Sequence, residues 1–318
     1  MKRFFKFLLM AIVLFLVILI AGAAIIQFSG LPEYEPGKVK FQVTATPNRV
    51  AEGARLSSML CSGCHMGADN ALSGRLMSEA PPEFGTVYSA NITQHRENGI
   101  GSWTDSEIAY FLRTGVKRDG RFAPVYMPRF VNLSDDDLQN VIAYLRSDRK
   151  EVQSVDLKQQ VSQPSFLVKF LCRVAWKPIP YPATVIEKPD TGNPIAYGKY
   201  LVTGRYDCYP CHSADFTKID FVNPELSAGF MGGGNKLLDM AGKEIYSANL
   251  TPHPETGIGA WDYEQFKNAL VYGELPSGGV VRYPMFPYAA LNESETQAIF
   301  AYLKQIPSLN HPVNRGTR

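Results

Sequence analysis

Residues 88–103 read YSANITQHRENGIGSW and residues 246–261 read YSANLTPHPETGIGAW. Two stretches this alike in one chain mark an internal duplication, so one structural unit is written twice. The offset from Tyr88 to Tyr246 is 158, and the same offset joins Trp103 to Trp261, Met127 to Met285 and Tyr144 to Tyr302. From Tyr88 onward the halves therefore stay in register. Upstream, CSGCH at 61–65 is matched by CYPCH at 208–212, at an offset of 147. The second half thus carries 11 extra residues between its two signatures, and they include the glycine-rich AGFMGGGNK.

Both halves predict the same helices. VAEGARLSSMLC and IAYGKYLVTGRYDC each suit a helix that delivers the cysteines at its end. After the first tryptophan, Thr104 caps a helix with Glu107 three residues on, Ile108, Phe111 and Leu112 form its apolar stripe, and Gly115 stops it. Asp262, Gln265, Phe266, Ala269, Leu270 and Gly273 repeat that plan. A final helix follows Ser134, with Asp135, Asp136 and Asp137 in its first turn and Leu138, Val141, Ile142 and Leu145 on one face. Its twin starts at Asn292, with Glu295 in the capping-box position and Thr296, Ile299, Phe300 and Leu303 along the face. No stretch alternates in the way a sheet requires. The repeat units are expected at 45–150 and 191–310. Residues 151–190 between them are proline-rich, with WKPIPYP at 176–182, and read as a linker packed across both units with one short helix near Ser165 to Val174.

The chain has 318 residues, 45% of them hydrophobic, enough for two domains that each bury a core. Its N-terminal stretch, residues 1–30, is a membrane anchor or a signal. Phe7 to Ile26 runs without a charge and makes a helix about 30 Å long, the thickness of a bilayer core. Lys2, Arg3 and Lys6 precede it, so the basic flank stays in the cytoplasm and everything beyond about residue 30 is exported. A signal peptide cleaved near Ala21-Gly22-Ala23 is the alternative and leads to the same compartment. Without those three bases, 29 bases face 30 acids, a near-neutral balance that gives no support to nucleic-acid binding.

Five cysteines in an exported chain of this size do not make a disulfide scaffold. Four form the CXXC pairs, and Cys172, in the apolar SFLVKFLCRVAW, reads as a buried structural thiol. Three chemistries are open to CXXCH. Structural zinc wants four ligands, and each half offers one cysteine pair. A thioredoxin-like disulfide needs a strand leading into the motif, whereas here a helix leads in. Covalent haem attachment uses every part: Cys61 and Cys64, or Cys208 and Cys211, add to the porphyrin vinyl groups, and His65 or His212 is held beneath the iron as the proximal ligand.

The repeat register nominates the ligand on the far side. Of nine methionines only Met127 and Met285 occupy matching positions, in VYMPRF and YPMFPY, each on a proline-stiffened loop between the middle and final helices. The plainer alternative is a methionine that fills core space. His95 and His253 match as well and would make a bis-histidine iron of lower potential, although their polar loop suits a surface turn at the haem edge. Trp103, Trp261, Tyr88 and Tyr246 pack around the haems or belong to the plain core.

With its paired NIT/NLT and GIG-X-Trp segments, CXXCH motifs and matched methionines, the chain resembles the membrane-associated di- and trihaem cytochromes c. These include the cytochrome subunits of bacterial alcohol, aldehyde and gluconate dehydrogenases. The resemblance covers about residues 45–150 and 191–306. It implies one haem served by Cys61, Cys64, His65 and Met127, and another by Cys208, Cys211, His212 and Met285. The chain departs from the trihaem subunits in having no third domain, and from their common pattern in placing histidines at 95 and 253.

The expected fold is therefore all-α, with two tandem class I cytochrome c domains after an N-terminal transmembrane helix and two covalently bound haem c groups. The expected function is electron transfer on the outer, periplasmic side of a bacterial inner membrane, with redox protein partners such as a membrane-associated dehydrogenase or oxidase. No separate catalytic acid, base or nucleophile is needed. The rival reading, a dihaem peroxidase-like enzyme, needs one haem with an open far side, and so predicts unlike halves.

Overall fold

Each half is framed by helices that begin on a side-chain cap and end on a left-handed glycine or an open turn. The computed structural model of the chain describes residues 2–314, so Met1 lies outside the described residues. Helix α1, Lys2–Phe28, is long and apolar enough to cross a membrane, and its length is exposed. Helix α2, Pro47–Leu60, starts where Thr46 accepts a bond from Arg49 N and ends at Cys61, and the short α3, Ser62–His65, carries the rest of CSGCH. Helix α4, Asp105–Thr114, begins on the Thr104–Glu107 capping box and stops at Gly115 with φ +78°. Helix α5, Asp135–Leu145, begins on Ser134. Each such cap is worth about 1 kcal/mol.

Between the halves lies α6, Phe166–Val174, capped by Ser165. The second half then repeats the plan. Helix α7, Pro194–Tyr200, is capped by Asn193 and runs on through a π-helical turn at Leu201–Arg205. CYPCH forms α8, Cys208–His212. Helix α9, Tyr263–Lys267, starts on the Asp262–Gln265 capping box and continues through a second π-helical turn, Asn268–Tyr272, to Gly273 at φ +78°. Helix α10, Glu293–Leu303, starts on the Asn292–Glu295 box.

The first and last helices of each half cross with their backbones touching. A Cβ added to Gly53 would collide with Asn140 O and sit 2.8 Å from Tyr144 Cβ. One added to Gly198 would collide with Ala298 O and sit 2.8 Å from Tyr302 Cβ. Both crossings thus use a glycine against the same register positions, since Asn140 and Ala298, like Tyr144 and Tyr302, are 158 apart.

The chain is mostly helical, with a few short strands beside the helices. Strand β1, Gly85–Thr86, pairs antiparallel with β2, Gln163–Pro164, and β3, Lys236–Leu238, pairs antiparallel with β4, Glu244–Tyr246. Strands of two and three residues are too short to show an alternating pattern in sequence. The linker packs on the first half. Among its described contacts to the first half are β2 to β1, Val155 O and Leu157 O to Asn91 Nδ2, Ile186 O to Asp135 N, and Val168 and Cys172 in a cluster with Val116 and Phe122. Cys172 is fully buried there.

One apolar core runs through both halves, from Leu56, Leu138 and Ile142 to Leu201, Ile299 and Leu303. Buried charge ties the two together. Arg205, fully buried, donates from Nε to Asp137 Oδ2 (2.7 Å) and from Nη1 to Glu295 Oε1 (2.5 Å). Arg55 from α2 pairs with Glu295 at 2.7 Å, and Tyr200 from α7 donates to Asp137 at 2.5 Å. By the spacing of the crossing glycines Arg55 matches Tyr200, and by the 158 register Asp137 matches Glu295. The junction is therefore a pseudo-two-fold, with Arg205 bridging its two carboxylates.

Candidate haem site

His65 stands at the end of α3, buried, and its Nδ1 donates to Ala90 O at 2.8 Å. A carbonyl only accepts, so the ring proton is on Nδ1 and Nε2 carries the lone pair. Burial lowers the pKa of His65, against the raising effect of the bond to Ala90, which favours the neutral ring that a metal ligand needs. In the second half His212 Nδ1 meets Ala248 O, also at 2.8 Å. Ala90 and Ala248 belong to the repeated YSAN, so the signature segment orients the histidine of the other motif.

The thiols lack the lowered pKa of a redox pair. Burial pushes Cys61 up to about 11 and Cys208 up to about 12, whereas a reactive CXXC pair needs a lowered thiol. Among the described residues no group of three or more His, Cys, Asp or Glu gathers in a way that would hold a metal ion by itself.

A cavity of about 1600 Å³ opens against this motif in the first half. Cys61, Cys64 and His65 lie on its wall, and so does Met127. Ile92, Ile100, Trp103, Leu112, Phe130 and Val141 give it an apolar lining, while Arg96, Arg118 and Lys158 bring cations to it. An apolar slot with two thiols, a neutral imidazole and a thioether facing it has the donor set of a covalently held His/Met haem.

Met127 is half-buried against the core, on a turn closed by Met127 N to Pro124 O at 3.1 Å. Met285 keeps the same turn, with Met285 N on Arg282 O at 3.0 Å. The guanidinium of Arg129 braces the first turn by donating to Met127 O and Ala123 O. Pro287 stands at the matching position in the second half, packed near Gly273 as Arg129 is near Gly115.

His95 and His253 bond within their own turns through Nδ1. His95 Nδ1 accepts from Asn98 N at 3.0 Å and its Nε2 lies 3.4 Å from Asp156. His253 Nδ1 accepts from Thr256 N at 3.2 Å. Both rings pin the surface turn that precedes Gly-Ile-Gly. Trp103 and Tyr88 line the cavity, with Tyr88 also bonded to Gln160, whereas Tyr246 is exposed.

Several contributors escaped the sequence reading. Asn91 Oδ1 accepts from Thr93 N and Oγ1, and its Nδ2 donates to Val155 O and Leu157 O. Asn249 repeats the turn with Thr251 and reaches Leu309 O. The repeated Asn-X-Thr was the available signal. Tyr283, two residues before Met285, lines the first cavity, where Glu79 and Cys64 lie close enough to raise its pKa beyond what burial does. The loop that carries Met285 therefore closes part of the first site, a contact that no repeat pattern announces.

Residues 50–148 match the family model for cytochrome c. This stretch is a cytochrome c domain. Beyond it, the chain is 29% identical over 273 residues, 83% of its own length and 55% of the relative's, to the cytochrome c subunit of a quinone alcohol dehydrogenase from Gluconobacter oxydans. The cytochrome subunit of fructose dehydrogenase from Gluconobacter japonicus is 27% identical over 78% of the chain and 50% of that relative. A diheme cytochrome c-type protein of Cereibacter sphaeroides is 25% identical over 78% of the chain and 82% of its own length. The chain spans about half the length of the dehydrogenase cytochrome subunits it matches.

Proposed function

We propose that the chain is a dihaem c-type cytochrome that carries electrons on the outer side of a bacterial membrane, with its two tandem domains each holding one covalently attached haem. Cys61, Cys64, His65 and Met127 hold one group, and Cys208, Cys211, His212 and Met285 hold the other. The observation that carries this reading is the repeated His Nδ1 to alanine carbonyl bond, which sets both imidazoles in the ligating tautomer at matched positions.

When bound, haem supplies one-electron redox chemistry at its iron. The protein's own part is positional. The alanine carbonyls fix each imidazole, Arg129 shapes the turn under Met127, and the apolar wall around Ile100, Trp103 and Leu112 keeps water from the slot. The names of the relatives support a dehydrogenase as the electron donor, and α1 supports anchoring to the membrane.

The test is a spectroelectrochemical titration of the full-length holoprotein beside Met127→Ala and Met285→Ala. Each substitution should remove half of the far-red sulfur-to-iron band and lower the potential of one haem only. An unchanged band in either variant would refute that methionine's assignment.

A further inference from the structure

Helix α6 carries an arrangement that the haem sites do not use. At about 100° per residue its side chains fall into three stripes. Val168 and Cys172 form one, fully buried on the first half. Phe166, Leu167, Phe170 and Val174 form the second, exposed at 43%, 44%, 38% and 58%, with the rings of Phe166 and Phe170 stacked at 6.3 Å. Lys169 and Arg173 form the third, between the other two.

The two cations tie α6 to the end of α1. Lys169 Nζ donates to Gln27 O at 2.7 Å, and Arg173 Nη2 donates to Ser29 Oγ at 2.6 Å and Gly30 O at 2.8 Å. The exposed apolar stripe is thereby fixed at the level where the apolar length of α1 ends, beside the exposed ring of Phe28. Large apolar side chains flanked by Lys169, Arg173 and Lys177 match the boundary between acyl chains and anionic headgroups.

We infer that α6 is an interfacial helix whose Phe166, Leu167, Phe170 and Val174 sink into the outer leaflet of the bilayer that α1 crosses. The inference rests on reading α1 as membrane-spanning. A single helix leaves the attached domain free to swivel, whereas a second contact beside it fixes the orientation of the first cavity relative to the membrane plane.

The experiment is power-saturation EPR on the full-length, reduced holoprotein in nanodiscs of mixed zwitterionic and anionic phospholipid, labelled at Leu167→Cys. Labels at Val17→Cys in α1 and at the exposed Val185→Cys serve as references; the buried Cys172 is shielded from labelling under native conditions. Oxygen should reach the Leu167 probe more readily than a water-soluble nickel chelate does, at a depth shallower than that of the Val17 probe. Adding Phe166→Glu and Phe170→Glu, both at exposed positions, should cost the Leu167 probe most of its protection from the chelate. A deep Val17 probe with a Leu167 probe as open to the chelate as Val185 would overturn the inference and leave the anchor standing. An aqueous Val17 probe would overturn both. Screening of Leu167 from both reagents would put protein rather than lipid over the stripe, and would also overturn it.

Discussion

His65 and His212 each spend a ring N–H on a main-chain carbonyl, and the carbonyls belong to a segment that the chain repeats almost letter for letter. That is why the candidate site was legible: the proposed covalent attachment demands a fixed spelling, and duplication shows which methionine follows that spelling in both copies. Other residues act through contacts that have no spelling. Arg129 braces the Met127 turn and has no twin, so the register that found Met127 could not find it. Asn91→Ala should leave the buried groups that Asn91 serves unpaired, at a cost of about 1–3 kcal/mol. Thermal unfolding of the holoprotein would report the loss, and Asn249→Ala should behave alike, since Asn249 makes the same bonds to Thr251.

Helix starts and stops were readable because caps are local. Thr104–Glu107, Asp262–Gln265 and Asn292–Glu295 close capping boxes as their spacing predicts, and Gly115 and Gly273 end their helices in the left-handed region. The crossings were not readable, because Gly53 and Gly198 matter for what lies opposite them, far away in sequence. Neither could the two-residue strand Gln163–Pro164 have been found from its own residues, since its pairing with Gly85–Thr86 is a fact about the linker's path. Gly53→Ala should destabilise the first half by about 1–3 kcal/mol through overpacking against Asn140 and Tyr144. Chemical denaturation of the holoprotein would report the loss, and an unchanged midpoint would remove Gly53 from the crossing.

Across the whole molecule, the halves are joined by charge that water does not reach. Arg205→Ala would leave Asp137 and Glu295 facing each other without their shared cation, and breaking a buried pair in this way costs about 3–5 kcal/mol. The same junction responds to acid. Burial pushes the Asp137 carboxyl up, but Arg205, Lys188 and the bond from Tyr200 outweigh it and leave its pKa below the usual value. A depressed folded-state pKa gives stability that is present above the unfolded value, about 3.9, and is lost as pH falls through the folded value. Asp137→Asn should therefore be less stable than the parent at pH 7, and the gap should narrow as the solution is taken below about pH 4. Denaturation curves across that range would reveal it, and a gap independent of pH would remove Asp137 from the junction's electrostatics.

The central claim is two attached haems in one duplicated chain. Intact and peptide mass spectrometry of the protein, matured in a host that attaches haem c, tests it most directly. The expected result is a mass increase of two haem groups, one on the peptide bearing Cys61 and Cys64 and one on the peptide bearing Cys208 and Cys211. A protein with a single haem, or with free thiols at either pair after full maturation, would contradict it.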